Sequence, residues 1–166
     1  MARVARAYQP PNRFIRIVAE FSDYFDSGVL VKIYHLEQGS PEVANRVRRA
    51  GRIPLPFLAE IEVRNALRVL QGRNQLTKDQ LSRTMLLIES DICQGRLVRV
   101  SPEPSVVSIM AEHLSLNYAP ATLCRTLDLL HVAMAKTLAV SRFHTGDKRQ
   151  TLLARKAGMQ VVTLKT

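Results

Sequence analysis

Short strand-like segments separated by helical segments are the feature that most limits what this sequence can fold into. The last part of the chain predicts two strands, R-F-H-T and M-Q-V-V-T-L, with a basic helix between them. Two earlier strands are predicted at D-Y-F-D and R-L-V-R-V, and several amphipathic helices separate them. Such alternation is typical of a parallel sheet that lies between two helical layers. The pattern therefore predicts an α/β chain with a three-layer α/β/α sandwich.

Proline, glycine and hydroxyl residues predict where several elements begin and end. The segment R-I-P-L-P is predicted to be extended but not a central strand, because proline has no amide hydrogen to donate to a neighbouring strand. Helix caps follow from side chains that accept amide hydrogens and from glycines that terminate helices. The predicted N-caps are Ser27, Thr77 and Thr126, and the predicted helix ends are Gly51 and Gly72.

The length and composition limit the class of protein. A chain of 166 residues is long enough for one domain with a full core. Residues 1–22 contain four arginines and a Pro-Pro pair, so they are predicted to be an N-terminal extension of a domain at 23–166. No apolar run is long enough to cross a bilayer, and no signal-peptide pattern is present at the start. These observations predict a cytoplasmic protein.

The charge and the cysteines indicate the kind of partner. A net charge of +10 favours a polyanionic partner, above all nucleic acid, although a basic surface for solubility or for an acidic protein would give the same charge. Cys93 and Cys124 lie far apart without a CxxC motif, which predicts two free thiols. The four histidines are scattered and none is paired with a cysteine at ligand spacing, so zinc is poorly supported.

Two aspartates follow predicted strands. Asp26 ends D-Y-F-D, and Asp147 lies in a T-G-D turn directly after R-F-H-T. Each has an ordinary structural interpretation, as a helix cap or a turn residue. Because ligands of open α/β sheets collect at the carboxyl ends of the strands, both also lie where a binding site is expected. Ser27 is predicted to cap the following helix, which would leave Asp26 free for such a site.

Two further acids lie on predicted helices without an evident partner. Glu60 has Arg64 four residues later and is predicted to form an ion pair on the helix surface. Glu62 has no basic residue at helical spacing, which favours a functional role. Asp128 lies in the apolar run L-D-L-L-H-V-A-M-A, where the helix dipole or a pairing with His131 offers a structural alternative.

Together the four acids predict a metal site. Hard carboxylate oxygens suit Mg²⁺ or Mn²⁺, and acids that lie close together repel unless a cation separates them. A basic protein with such an acidic site is expected to cleave phosphodiesters, because a divalent cation activates the attacking water. Asp26, Glu62, Asp128 and Asp147 are the predicted catalytic and metal-binding residues. The cations predicted to bind nucleic acid are Arg46, Arg48, Arg49, Arg52, Lys148 and Arg149.

The order of these motifs resembles a PIN domain of the VapC type over about residues 23–164. The resemblance is carried by Y-F-D-S-G-V-L-V-K, L-A-E-I-E-V-R-N-A-L, R-T-L-D-L-L-H-V-A-M-A and F-H-T-G-D-K-R-Q. It implies a PIN-like α/β/α fold, an acid cluster that binds Mg²⁺ or Mn²⁺, and ribonuclease activity in the toxin half of a toxin–antitoxin pair. It also implies a small antitoxin partner and a homodimer.

The resemblance assigns roles to individual residues and shows one departure. Asp26, Glu62, Asp128 and Asp147 match the four acids of the family, and Thr145 matches the hydroxyl residue of its T-x-D turn. Ser27 and Thr145 are therefore expected to support the acids. Where the family has D-T-S or D-S-S after the first strand, this chain has Gly28.

The function predicted from the sequence is that of a Mg²⁺- or Mn²⁺-dependent endoribonuclease. Three alternatives stay open: a nucleic-acid-binding module without catalysis, an antitoxin-binding PIN-like module that has lost activity, and a metal-dependent nuclease that acts on DNA. Gly28 is the feature that keeps the inactive module open, because a second hydroxyl is missing beside the first aspartate. The sugar of the substrate is not encoded in any residue pattern here.

Overall fold

The computed structural model describes residues 20–36 and 38–164, and in these residues helices alternate with short strands as predicted. The helices are α1 (Ser27–Tyr34), α2 (Ser40–Ala50), α3 (Phe57–Gly72), α4 (Lys78–Cys93), α5 (Pro104–Thr122), α6 (Thr126–Thr137) and α7 (Lys148–Lys156). The strands are β1 (Asp23–Phe25), β2 (Ile53–Pro56), β3 (Leu97–Val100), β4 (Arg142–Thr145) and β5 (Gln160–Thr163). The predicted α/β class is confirmed.

All strand pairs in the described residues are parallel. Strand β4 lies between β1 and β5, and β2 pairs with β3. Phe25 is in register with His144, and Thr145 with Thr163. The carboxyl ends of β1, β4 and β5 therefore lie at one edge of the sheet, where the residues that follow each strand meet.

The segment predicted to be merely extended is a true strand, β2. It is paired along its whole length, with Ile53 opposite Leu97 and Pro56 opposite Val100. Alternate residues of a strand direct their amides to opposite sides. Pro54 and Pro56 thus remove the donors on one side of β2, while the Ile53 amide on the other side donates to Arg96 O at 2.8 Å. This explains why β2 lies beside β1 without forming a ladder with it.

Two apolar cores cover the two faces of the strands. Tyr24 belongs to the core formed with α5, α6 and α7, where it stacks on Phe143 with ring centroids 5.4 Å apart. The next residue, Phe25, belongs to the other core, formed with α1, α2, α3 and α4. Because successive residues of a strand face opposite sides, β1 alone contributes to both cores. Burial of each such aromatic ring stabilises the fold by roughly 2–3 kcal/mol. This arrangement confirms the three-layer sandwich.

The structure corrects two of the predicted helix caps. Asp26, not Ser27, is the N-cap of α1, and its Oδ1 accepts a hydrogen bond from the Val29 amide. Thr126 is the first residue of α6 rather than its cap, and the N-cap Arg125 makes no side-chain capping bond. In both cases the hydroxyl residue is the first residue of the helix, and the residue before it is the N-cap. The other predictions fare better: Thr77 caps α4 in a capping box, Gly51 follows α2, and Gly72 is the last residue of α3.

Most of the predicted extension, residues 1–19, lies outside the described residues. Of its last three residues, Phe21 packs in the core with Tyr24, and Ser22 O accepts backbone hydrogen bonds from Ser141 and Arg142. Among the described residues, no helix combines the length and the apolar character that a membrane span requires. Cys93 and Cys124 are free thiols, as predicted.

Candidate active site

Four elements bring the predicted acids to the same end of the molecule. Asp26 directly follows β1, and Asp147 follows β4 after one glycine. Asp26 is also tied to β4, since its amide donates to His144 O at 3.0 Å. Asp128 lies in the first turn of α6, and Glu62 lies in α3. The predicted acids thus come from separate segments, and the parallel sheet explains why two of them are neighbours.

Asp26 is the buried acid of the site, with a relative exposure of only 5%. Burial raises the pKa of its carboxyl, and the negative charge of Asp147 raises it further. Hydrogen bonds from the Thr145 hydroxyl and the Val29 amide, and the nearby His131, act in the opposite direction. Asp26 therefore combines the two interpretations that the sequence left open. It caps α1, and it also carries a carboxylate that no basic side chain neutralises by direct contact within the described structure.

Asp128 is half-buried and is held by a glutamine. Gln150 Nε2 donates to Asp128 Oδ1 at 2.9 Å, and Thr145 Oγ1 lies 3.0 Å from Gln150 Oε1. Burial raises the pKa of Asp128, and Asp147 raises it further. The proposed alternative that His131 pairs with Asp128 is wrong, because both ring nitrogens of His131 bond elsewhere.

Asp147 forms the exposed side of the site and begins α7. Its Oδ1 accepts hydrogen bonds from the amides of Arg149 at 2.7 Å and Gln150 at 2.8 Å. The hydroxyl oxygen of Thr145 accepts a hydrogen bond of 3.0 Å from the Asp147 amide. Thr145 is itself completely buried and lies within hydrogen-bonding reach of Asp26. This one threonine therefore connects three of the acids, directly or through Gln150.

Glu62 is hydrogen-bonded to Ser27 and to His131 through one of its carboxylate oxygens. Ser27 Oγ donates to Glu62 Oε2 at 2.6 Å, and His131 Nε2 lies 2.6 Å from the same oxygen. The hydrogen bond from His131 is the main reason that the pKa of Glu62 is lowered. Glu60, two residues earlier, behaves as predicted. It binds Arg99 and Arg64, which lower its pKa to about 2.

A cleft of about 260 Å³ opens between α1 and α3 beside Glu62. Its lining residues are Ser27, Gly28, Val31, Glu62, Asn65 and Ala66. A Cβ at position 28 would lie 3.6 Å from Asp26 Oδ1, so Gly28 leaves this space open next to the buried acid. The cleft is therefore lined by both polar and small apolar residues, and one of the predicted acids is among them.

The acids share a common electrostatic environment but do not form a closed metal cage. The charge of Asp147 raises the pKa of both Asp26 and Asp128, so Asp147 lies close enough to interact with each of them. Within residues 20–36 and 38–164, however, no group of three or more histidine, cysteine, aspartate or glutamate side chains is arranged to hold a metal ion. Each acid is instead engaged by an amide, a glutamine, a serine or a histidine. The oxygen donors suit Mg²⁺, which often takes only one or two carboxylates and fills its other positions with water and substrate phosphate.

The six predicted nucleic-acid contacts fall into two groups. Arg46 is bonded to Glu42 and to Thr163 O, Arg48 to Asn45, and Arg52 to Glu20. In the described part of the chain the other three side chains are exposed and make no ion pair; they are Arg49, Lys148 and Arg149. Lys148 and Arg149 begin α7 directly after Asp147, so these two cations lie beside the acid site.

Sequence reasoning missed Gln150 and did not identify the partner of His131. Gln150 stands three residues after the N-cap Asp147, the D-x-x-Q spacing of a capping box, and this spacing was the available signal. Its side chain bonds to Asp128 and Thr145 instead of closing the box. The sequence indicates His131 only as a possible partner of Asp128 on the same helix. Its bond to Glu62 joins residues 69 positions apart, which no local pattern could reveal.

No protein-family model and no curated protein matches this sequence. Similar folds occur among solved structures. The crystal structure of VapBC2 from Rickettsia felis bound to a DNA fragment from their promoter aligns over 86% of this chain and 98% of its own, with a TM-score of 0.61 and 10% identity. The crystal structure of FitAcB from Neisseria gonorrhoeae aligns over 85% of this chain and 96% of its own, with a TM-score of 0.57 and 15% identity. The crystal structure of PAE2754 from Pyrobaculum aerophilum aligns over 86% of this chain and 98% of its own, with a TM-score of 0.50 and 15% identity. Together with the layered α/β/α architecture, these likenesses show that the chain has a PIN-like fold.

Proposed function

We propose that this chain is a Mg²⁺- or Mn²⁺-dependent endoribonuclease and the toxin of a type II toxin–antitoxin pair. The observation that carries the proposal is the electrostatic coupling of Asp26, Asp128 and Asp147, which come from three separate segments. Carboxylates that lie close together repel one another unless a cation joins them. The resemblance to VapC-type PIN domains and the shared fold support the same activity.

The residues expected to hold the cation are Asp26, Asp128 and Asp147, with Glu62 at the edge of the cleft. A divalent cation bound there would supply an activated water for attack on phosphorus and would neutralise charge on the phosphate. The protein's own contribution is to fix the carboxylates. The Val29 amide holds Asp26, Gln150 holds Asp128, and the first turn of α7 holds Asp147.

Lys148 and Arg149 support a polyanionic substrate. They are exposed, they lie next to Asp147, and they belong to a protein with a net charge of +10. Cations at this position would neutralise backbone phosphates on either side of the bond to be cleaved. Arg49 is a further exposed cation. The intramolecular bonds of Arg46 and Arg52 make these two weaker candidates.

A small antitoxin protein is the proposed partner, and a homodimer the proposed assembly. Phe57, Ile61 and Val69 form an exposed apolar row on α3, with relative exposures of 61%, 60% and 41%. Exposed apolar rows of this kind often mark protein interfaces. Because the same helix carries Glu62, a protein bound to this row would lie beside the cleft. We propose the cytoplasm as the compartment, in agreement with two free cysteines.

Purified chain incubated with single-stranded RNA tests the proposal. We expect cleavage in Mn²⁺ or Mg²⁺ and none in EDTA, and we expect the Asp128→Asn variant to be inactive while still folded. RNA binding that is equally tight in EDTA, without cleavage in metal, would instead favour a binding module. DNA of the same sequence is the control for sugar type, and cleavage of DNA alone would favour the deoxyribonuclease alternative.

A further inference from the structure

A chain of hydrogen bonds runs from the sheet to the cleft through two buried side chains. The Tyr24 hydroxyl lies 2.8 Å from His131 Nδ1, and His131 Nε2 lies 2.6 Å from Glu62 Oε2. Tyr24 has no exposed surface and His131 has 1%. The chain thus connects β1, α6 and α3, and only its last member, with 25% of its side chain exposed, reaches solvent.

Counting donors and acceptors fixes the direction of these bonds. The buried Tyr24 proton needs an acceptor, and His131 Nδ1 is the partner that the structure provides. An ordinary tyrosine hydroxyl has a pKa of about 10, so it keeps this proton at neutral pH. His131 Nε2 then carries the ring proton and donates it to Glu62. In this arrangement the Tyr24 hydroxyl and both ring nitrogens of His131 are paired.

The bonds to Glu62 are strongly asymmetric. His131 and Ser27 both donate to Oε2, whereas Oε1 makes no hydrogen bond to any described residue. Two donors on one oxygen fix the carboxylate plane and leave the other oxygen available. Glu62 lines the cleft, and about a quarter of its side chain is exposed.

A purely structural role does not require these residue types. Apolar side chains of similar volume would fill the layer between β1 and α6 without burying polar groups, which are destabilising unless they are paired. Tyr24 already packs against Phe143 through its ring, and that contact does not need the hydroxyl. What the polar atoms add is a fixed position for one carboxylate.

We propose that Tyr24 and His131 are positioning residues that hold Glu62 through Oε2, so that Oε1 is presented to a ligand in the cleft. The proposal deepens the nuclease function proposed above and, as far as catalysis is concerned, rests on it. The arrangement has the form in which outer residues orient a carboxylate or imidazole at a reactive centre, where loss of the outer residue commonly lowers activity 10–100-fold, to order of magnitude.

Two substitutions of His131 form a matched pair. In His131→Gln the amide nitrogen can take the place of Nε2 and donate to Glu62, whereas in His131→Asn the shorter amide reaches only the position of Nδ1. His131→Leu removes both ring nitrogens and therefore both hydrogen bonds. We expect His131→Asn and His131→Leu to lower kcat for RNA cleavage by roughly 10–100-fold with little change in KM, and His131→Gln to recover most of the loss. Tyr24→Phe should give a smaller decrease in the same direction.

A spectroscopic measurement tests the arrangement without any activity. Long-range ¹H–¹⁵N NMR of the full chain distinguishes the protonated from the bare ring nitrogen of His131. We expect the proton on Nε2 in the wild type, and a mixture of tautomers in Tyr24→Phe, because the hydroxyl that holds Nδ1 as an acceptor is gone. Glu62→Ala should shift the Nε2 resonance, since its acceptor is lost.

The two experiments separate the possible failures. If the wild type cleaves no RNA in metal, the proposed function fails, and the NMR experiment alone then decides the positioning of Glu62. A His131 proton on Nδ1, or an Nε2 resonance that does not respond to Glu62→Ala, would overturn the positioning. In an active enzyme, folded His131→Leu with wild-type kcat, or a His131→Gln that is no better than His131→Asn, would also overturn it.

Discussion

The two ends of β1 carry two buried aspartates that the fold treats in opposite ways. Asp23, at the start of the strand, is 2% exposed and receives two hydrogen bonds of 2.6 Å from Arg142 and one of 2.6 Å from His144. Although burial acts to raise its pKa, these partners lower it to about 2. Asp26, just past the other end, is similarly buried, and its pKa is raised.

The difference between the two aspartates is one of available cations. Asp23 is neutralised within the protein, so it serves the fold by joining β1 to β4. Asp26 has an amide, a hydroxyl and other acids around it, so its charge is only partly compensated. A buried acid that the fold leaves uncompensated is a candidate for binding something positive. The same strand therefore has a structural end at Asp23 and, at Asp26, the end where we propose the active site.

The largest expected effect is on catalysis at Asp26. Asp26→Asn should lower kcat/KM for RNA cleavage by roughly 1,000-fold, or about 4 kcal/mol, because a neutral amide replaces a carboxylate at the proposed cation site. Asparagine is as good an N-cap as aspartate, so α1 should stay intact. Circular dichroism checks the fold. Asp23→Asn is the control at the other end and should cleave RNA normally once corrected for unfolded protein; a folded Asp26→Asn with wild-type activity would remove Asp26 from the site.

The next effect is on stability at Asp23. Asp23→Asn should lower the free energy of unfolding by about 3 kcal/mol, since a neutral amide replaces the charged acceptor of the hydrogen bonds from Arg142 and the buried His144. Urea denaturation followed by fluorescence or circular dichroism measures the change. Asp26→Asn should cost far less by the same measurement. Equal losses in the two variants would mean that the contrast between the two ends does not exist.

Metal should distinguish the two ends by their ligand response. Mn²⁺ at about 100 times its Kd should raise the free energy of unfolding of the wild type by about 2.7 kcal/mol, and EDTA should remove the increase. The Asp23→Asn variant, although less stable, should show the same increase in the free energy of unfolding with Mn²⁺. Its substitution lies at the opposite end of β1 from the proposed cation site. In Asp26→Asn the increment should be largely absent. An increment that survives in Asp26→Asn places the cation elsewhere.

Acid should remove the stability that Asp23 contributes at the structural end. The pKa of Asp23 is lowered from 3.8 to about 2, so the folded state binds fewer protons than the unfolded state between these values. The stability from Asp23 is therefore fully present above about pH 4 and is lost as the pH falls towards 2, a change of about 2 kcal/mol. The difference in unfolding free energy between the wild type and Asp23→Asn, measured from pH 6 downwards, should shrink by this amount. A difference that stays constant with pH contradicts the assignment.

The comparison also shows what the sequence could and could not predict. The fold was predictable because apolar strands and amphipathic helices have different periods, and because parallel strands place their carboxyl ends together. The positions of Asp26 and Asp147 followed from that rule alone. Asp23, in contrast, was not recognised as a structural acid, since its partners Arg142 and His144 lie on β4 and meet it only through the strand register.

Local patterns misled where one residue has two roles. Asp26 was expected to be free because Ser27 offered a cap, yet the aspartate caps α1 and faces the other acids as well. The hydrogen bonds among Glu62, His131 and Tyr24 join three elements, so they depend on how the layers pack. Helix and strand periodicity predicts which face of an element is buried, but it does not identify the polar partner that a buried group meets.

The smallest expected effect concerns the cations beside each end of β1. Arg142 is bound to Asp23, whereas Lys148 and Arg149, next to Asp147, form no ion pair with any residue in 20–36 or 38–164. Replacing Lys148 and Arg149 together by serine should weaken RNA binding several-fold and reduce the slope of log K against log salt by about 1.4, which is the value for two single-strand phosphate contacts. Replacing Arg46 and Arg52 by serine removes the same charge from side chains that are already bonded to Glu42 and Glu20. Filter binding over a range of salt concentrations compares the two double variants. An equal decrease in slope for both would show that RNA senses only the net charge, and that the unpaired cations next to the acids have no special part in binding.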